Sequence, residues 1–196
     1  MLQDEYYVIE RENNDDYPLF SWDQESGPYG GGKAVNSPAP VHLALGEPIS
    51  ASFKWVDYHA LPSPVVSEPL AEILAGLNIY GVELVPALVR NPKDFDEPVK
   101  KYCLVHIWNR IACLDKTKSV IRTNKAGTRI FSIDQMVLDE SVLKDIEEDK
   151  RLVFELDEKA AIFLVHQKVK DAILSISPKG CRFFKASDWN SSSSFD

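Results

Sequence analysis

The sequence predicts an α+β fold: a mixed, mainly antiparallel sheet with two repeated helix–strand units and an irregular N-terminal lobe. Three observations carry this prediction. An internal repeat gives each copy an amphipathic helix, a glycine and an alternating strand; a run apolar on both faces separates the copies; prolines and glycines crowd the first 64 residues. With 196 residues, 44% hydrophobic and 27% charged, a single core buries roughly 70% of the unfolded chain's surface. No disulfide framework is required.

The elements follow in chain order. Tyr6-Tyr7-Val8-Ile9 reads as a short strand, and Asn13-Asn14-Asp15-Asp16 as a turn. Pro38, Pro40, Pro48, Pro62 and Pro64 argue against long regular elements up to residue 64, although Phe20, Trp22, Phe53 and Trp55 are too apolar for a disordered tail. From Val65 the repeat begins. Val66-Ser67-Glu68-Pro69-Leu70, then Ile73, Leu74, Leu77 and Gly81-Val82, aligns at a constant offset of 99 with a second copy. That copy is Val165-His166-Gln167-Lys168-Val169, then Ala172, Ile173, Ile176 and Gly180-Cys181. Spacings of three, four and seven predict a helix in each. Ser67 suits an N-cap and Pro69 the first turn. Gly81 and Gly180 suit a chain leaving a helix at positive φ.

Between the copies, Tyr102-Cys103-Leu104-Val105-His106-Ile107-Trp108 predicts a central strand covered on both faces. Arg129 to Ile133, Gln135 to Leu138, Arg151 to Leu156 and Ile162 to Val165 are further strands. Val142, Leu143 and Ile146 predict a helix over 139–148. The stretch 188–196, rich in serine, is expected to fray.

Charge is unevenly placed. The net −8 includes −7 from residues 1–30 and −7 from residues 134–158. An acidic chain repels phosphates, so direct nucleic-acid binding is disfavoured and a basic protein partner favoured. Three cysteines, Cys103, Cys113 and Cys181, lie among apolar residues and read as buried thiols of a reducing cytosol. The opening Met1-Leu2-Gln3-Asp4-Glu5 lacks a basic, then apolar, leader, and no run matches a membrane span. A soluble, cytoplasmic protein is expected.

Catalytic constellations are weak. Gly27-Pro28-Tyr29-Gly30-Gly31-Gly32-Lys33 has the spacing of a phosphate-binding loop, but Ala34 stands where a hydroxyl must meet magnesium. No strand feeds it and no good helix start follows. Cys103 and His106 are three apart on a strand, which points them to opposite faces and away from a shared metal. Ser63, Ser67 and Ser141 lack a nucleophile elbow. His42, His59, His106 and His166 form no ligand pattern. We therefore expect no enzyme, no cofactor and no metal.

Four landmarks carry a resemblance. They are Pro64-Val65-Val66-Ser67-Glu68 with Leu70, Leu74 and Gly81-Val82; Tyr102 through Asp115; Val137-Leu138-Asp139-Glu140-Ser141; and Phe154-Glu155-Leu156 leading to Val165 and Gly180-Cys181-Arg182-Phe183. In that order they resemble the immunity protein eleven family of bacterial polymorphic toxin systems, over about residues 60–187. His166 departs from the serine expected at the second helix start, and residues 1–60 match poorly. Composition and resemblance together predict three regions: an irregular acidic N-terminal lobe over 1–63 packed on the main domain, an immunity-family α/β domain over 64–187 and a flexible tail over 188–196.

The resemblance also implies a small antitoxin that occludes the active site of a cognate secreted toxin with a basic cleft, often a nuclease, delivered by a contact-dependent or type VI system. An adaptor or chaperone that loads a secreted effector is the alternative. The expected partner contacts are Asp15, Asp16, Asp23 and Glu25, or Asp145, Glu147, Glu148 and Asp149. Tyr17, Phe20 and Trp22 serve either as aromatic anchors or as core.

Overall fold

The computed structural model describes residues 1–30, 32–36 and 39–195; Gly31 of the glycine-rich stretch and Pro38 lie outside them. A six-stranded sheet is built from β1's neighbours in sequence rather than from β1 itself, which is Tyr6–Arg11. Its strands are β2 (Phe20–Trp22), β3 (Val41–Leu45), β4 (Tyr58–His59), β5 (Val65–Val66), β6 (Val82–Arg90) and β7 (Lys100–Ile107), in the order β2-β3-β6-β7-β5-β4. Helix α1 (Glu68–Gly76) leaves β5. Then come β8 (Arg110–Ile111), the hairpin of β9 (Val120–Thr123) and β10 (Ile130–Gln135), and helix α2 (Glu140–Asp145). The chain closes with β11 (Val153–Leu156), β12 (Phe163–His166), α3 (Gln167–Leu174) and β13 (Cys181–Lys185). The second sheet has the order β13-β1-β12-β11-β8. With most pairs antiparallel, this is the α+β class the sequence predicts.

The repeat is structural as well as sequential. β5-α1-β6 and β12-α3-β13 are the two copies. In the first, β7 inserts between β5 and β6, with Val66 opposite Cys103 and Val82 opposite Ile107. In the second, β1 inserts between β12 and β13, with Val165 opposite Tyr7 and Cys181 opposite Arg11. Cys103 thus matches Tyr7 and Ile107 matches Arg11, one constant offset of 96. The outer flank matches too: β4 lies on β5 with His59 opposite Val65, and β11 lies on β12 with Phe154 opposite Leu164. Each unit is therefore a four-stranded sheet with one helix. The third strand of the second unit comes from the far end of the chain.

The turn out of each helix has the same backbone. Asn78 (φ 47°) matches Ser177 (φ 51°), and Gly81 (φ 75°) matches Gly180 (φ 96°). The carbonyls of Gly81 and Gly180 accept the amides of Trp108 and Glu12, each at 2.9 Å. A side chain is excluded at both glycines: a Cβ on Gly81 would sit 2.2 Å from the Cβ of Asn109, and one on Gly180 2.5 Å from the Tyr58 carbonyl.

Helices α1 and α3 pack together between the sheets, where Leu70, Leu74, Val169 and Ile173 meet Val105 of β7 and Val165 of β12. The other face of the six-stranded sheet (Leu43, Val65, Val85, Leu104) is covered by Phe20, Phe53 and Trp55. That of the five-stranded sheet (Tyr6, Phe154, Leu164) is covered by Ile133, Leu143 and Trp189. Strict alternation along β7 and β12 sends neighbouring residues to different cores, which is why both strands read as unbroken apolar runs.

Several local expectations shift. Ser67 stands at the N-cap of α1, but its hydroxyl donates to Asp57 at 2.8 Å instead of capping. His166, in the matching place, does cap, its Nδ1 accepting the Lys168 amide at 3.2 Å. The helix at 139–148 is one short segment capped by Asp139, and Ile146 leaves it extended. Residues 136–138 form only an isolated bridge, Leu114 to Leu138, so the two strands expected at 129–138 are one. Residues 1–63 are irregular over 12–19 and 46–57, but they supply strands to both sheets: β1 to the five-stranded one, and β2, β3 and β4 to the six-stranded one. At the other end, Trp189 is buried and donates Nε1–H to Glu10 at 2.8 Å, and the Ser191 amide donates to Ile133. An apolar side chain anchors a stretch whose serines alone suggested fraying.

Candidate interaction cleft

A cleft of about 810 Å³ is lined from both sheets. The five-stranded sheet contributes Glu10 and Arg11 of β1, Arg110 of β8, Glu155 of β11 and Phe163 of β12. The six-stranded sheet contributes Tyr58, Ala60, His106 and Ile107, extended by Leu61 and Pro62. Trp22, Tyr29, Gly27 and Gly30, with Asp15, Ser194 and Phe195, line the rest of it. Matched positions of the two units line the same cleft: Glu10 and His106, Arg11 and Ile107, Glu155 and Ala60. One wall is thus charged where the other is mostly apolar.

The polar groups of the charged wall already hold partners. Arg110 donates Nε–H to Glu155 at 2.6 Å, and Glu155 also accepts the Ala161 amide at 2.8 Å. Arg11 donates to the carbonyls of Glu12 (3.2 Å) and Asn14 (3.0 Å). Glu10 accepts from Trp189, and burial raises its carboxyl pKa above the ordinary range. A second, apolar cavity of about 40 Å³ between the two helices shares Ile9, Tyr58 and Ile107 with the cleft.

The glycine-rich stretch has a structural use. The amides of Val35 and Asn36 donate to the two oxygens of Glu83 at 2.7 and 2.9 Å, and His106 donates Nε2–H to the Lys33 carbonyl at 2.7 Å. Gly32 rests against the Arg110 guanidinium, leaving 3.2 Å for an added Cβ. Trp22 stacks on Tyr29 at 5.4 Å, and Tyr29 meets His106 edge-on at 5.5 Å. Two amides just past the motif take an anion, and it is the chain's own carboxylate.

The expected contact residues scatter. Asp15 and Trp22 line the cleft. Asp16 is held by Ser50 and Ser52 at 3.0 and 2.6 Å, and these hydroxyls lower its pKa. Asp23 is clasped by Arg90, whose hydrogen bond holds that carboxyl low. Glu25 is exposed and Tyr17 half-buried. Phe20 is 3% exposed and stacked on His59 at 3.9 Å; of its two possible uses, core packing is the one it has. Asp145 and Asp149 are exposed, Glu147 pairs with Lys150 at 2.6 Å and Glu148 with Lys168. This second block lies outside the cleft. Arg11, Arg110, Glu155 and Phe163 were not among the expected contacts. The signal that finds them is strand register, which no local pattern carries.

The thiols are poor nucleophiles. Burial raises the pKa of all three, that of Cys181 to about 12, and a thiol held protonated neither attacks nor ligates. Among the described residues no group of three or more His, Cys, Asp or Glu is placed to hold a metal. No helix among them is long and apolar enough to cross a membrane.

A search of curated proteins finds no match to the chain. A family model does match, over residues 6–188. It starts at the first residue of β1, not near residue 60 where the resemblance first becomes readable. The match thus takes in β1, the strand that joins β12 to β13. The chain belongs to the Immunity protein family (Imm11).

Proposed function

We propose that this protein is an antitoxin that binds a cognate secreted toxin one-to-one and occludes its active site. The toxin is a nuclease with a basic cleft, delivered by contact-dependent or type VI secretion, and the antitoxin acts in the producer's cytoplasm. The observation that carries this reading is the family match across nearly the whole chain. The charge distribution supports the nuclease assignment, because a surface that grips phosphate attracts carboxylates. Exposed Asp15 and Glu25 on one side, and Asp145, Glu147, Glu148 and Asp149 on another, supply them, with Asp16 and Asp23 reinforcing the first. Trp22 and Tyr17 are the aromatic anchors, and apolar contacts at the interface centre dominate affinity.

The test is titration of the purified toxin encoded beside this chain. Activity should reach zero at one equivalent, with an association rate that falls as salt rises. Protection at far below one equivalent overturns occlusion in favour of an enzyme. A tight complex that leaves the toxin active, and fails to rescue cells making it in the cytosol, assigns the chain to effector loading.

A further inference from the structure

We propose that the toxin docks in the cleft between the two sheets, which receives a protruding toxin loop with an aromatic or aliphatic tip flanked by lysine or arginine. This rests on the antitoxin reading and gives it a location.

The occupant follows from the chemistry of the walls. A polar metabolite needs several unengaged, converging polar groups to fix its orientation. Here Arg110 and Glu155 hold each other, Arg11 holds two carbonyls, and Glu10 holds Trp189. What faces the space is largely apolar: Ile107, Ala60, Leu61, Phe163, Trp22 and Tyr29. Leu61 stays 46% exposed and Phe195 77% exposed at its border, so apolar area is available to a partner.

Tryptophan, tyrosine and arginine are also the residue types that dominate binding energy when a pocket is fully covered. The volume of about 810 Å³ takes several side chains at once. Charge selects the flanks. Of the carboxylates lining the cleft, Glu155 is held by Arg110 and Glu10 by Trp189, which leaves the exposed Asp15 to meet a lysine or arginine. The site is held in shape before binding: Glu83, His106 and Arg110 fix the segment 32–36 that adjoins the Trp22–Tyr29 side. A preorganised cleft loses less entropy on docking.

The experiment uses the full chain and the catalytically inactivated toxin encoded beside it. Ala160 is exposed and lines the cleft, so Ala160→Trp fills it without entering a core. We expect Kd to rise roughly 100-fold, in line with loss of a central contact. Lys125→Trp, an equal bulk in the β9–β10 turn, should leave Kd unchanged. Hydrogen exchange of the unaltered complex should show new protection at residues 27–30, 60–63 and 160–163, a readout that holds even if a variant folds poorly.

Wild-type Kd for Ala160→Trp, or protection confined to 140–151, overturns the cleft as the docking place while leaving the antitoxin reading intact. So does a second copy of this chain or a co-purified small molecule found in the cleft. If the unaltered protein neither binds nor silences the toxin, the antitoxin reading itself fails.

Discussion

The two repeated units solve one packing problem with different side chains. Both place a helix against a four-stranded sheet, both turn through a left-handed residue and a glycine, and both close the turn with the amide of the residue just past the inserted strand. They differ where each helix begins. In the first unit Ser67 is drawn away to Asp57, which also accepts the Lys179 amide at 2.9 Å and so ties the start of α1 to the turn of the other unit. In the second, His166 is 4% exposed, caps α3 with one ring nitrogen and donates the other to Glu5 at 2.9 Å. They differ again on the outer strand, where His59 stands in the first unit and Phe154 in the second. Backbone geometry is what the repeat preserves; polar wiring is free to diverge.

The harshest way to break the comparison is at the glycines. Gly180→Ala combines positive-φ strain with a clash against backbone and should cost about 4 kcal/mol by urea unfolding. Gly81→Ala should cost a similar amount, yet its closest clash is with a side-chain atom of Asn109. In an Asn109→Gly background, which itself loses that side-chain amide's bonds to the Lys150 and Val153 carbonyls, part of the Gly81→Ala cost should be recovered relative to Asn109→Gly alone. Failure of that partial recovery would mean the two turns are strained for the same backbone reason.

Next is the His59 and Phe154 pair. Burial among Phe20 and Tyr102 lowers the His59 pKa from 6.5 to about 4. The unfolded chain therefore binds a proton that the folded chain refuses between these values. Stability from this group is complete above about pH 6.5 and declines as pH falls toward 4, by about 3 kcal/mol in all. His59→Phe, which copies the second unit, should remove that component from the pH dependence of unfolding. An unchanged slope would place the acid sensitivity elsewhere.

At the helix starts, His166→Ala removes a cap, a buried ring and the Glu5 contact, and should cost about 2 kcal/mol. Ser67→Ala removes one hydrogen bond and should cost about 1 kcal/mol. Equal losses in thermal unfolding would erase the distinction drawn here between the two units.

The copy at 65–82 and 164–181 was readable because helical spacing and glycines lie close together in sequence. So was β7, since an eight-residue strand buried on both faces leaves a continuous apolar run. What escaped was the match of β1 to β7. Tyr6 and Tyr102 occupy equal places, both buried with hydroxyls bonded to Arg151 and the Val56 carbonyl. Yet Glu10 and Arg11 replace His106 and Ile107, because those positions border the cleft and escape the demands of a core. The cleft was illegible for the same reason: it is assembled by register between strands far apart in the chain, and its charged residues pair only after folding. The acidic blocks were plain in the sequence; their ion pairs with Arg90, Lys150 and Lys168 were not.

The position of β1 has a consequence for how the protein is made. This strand leaves the ribosome well ahead of both its neighbours, β12 and β13, which follow about 150 residues or more later. At roughly 5–20 residues per second it waits many seconds with both edges bare. Such an edge is a template for wrong pairing until its partners arrive. Charges on a bare edge disfavour such pairing, and Glu10 and Arg11 are the ones β1 carries beside Tyr6, Tyr7, Val8 and Ile9.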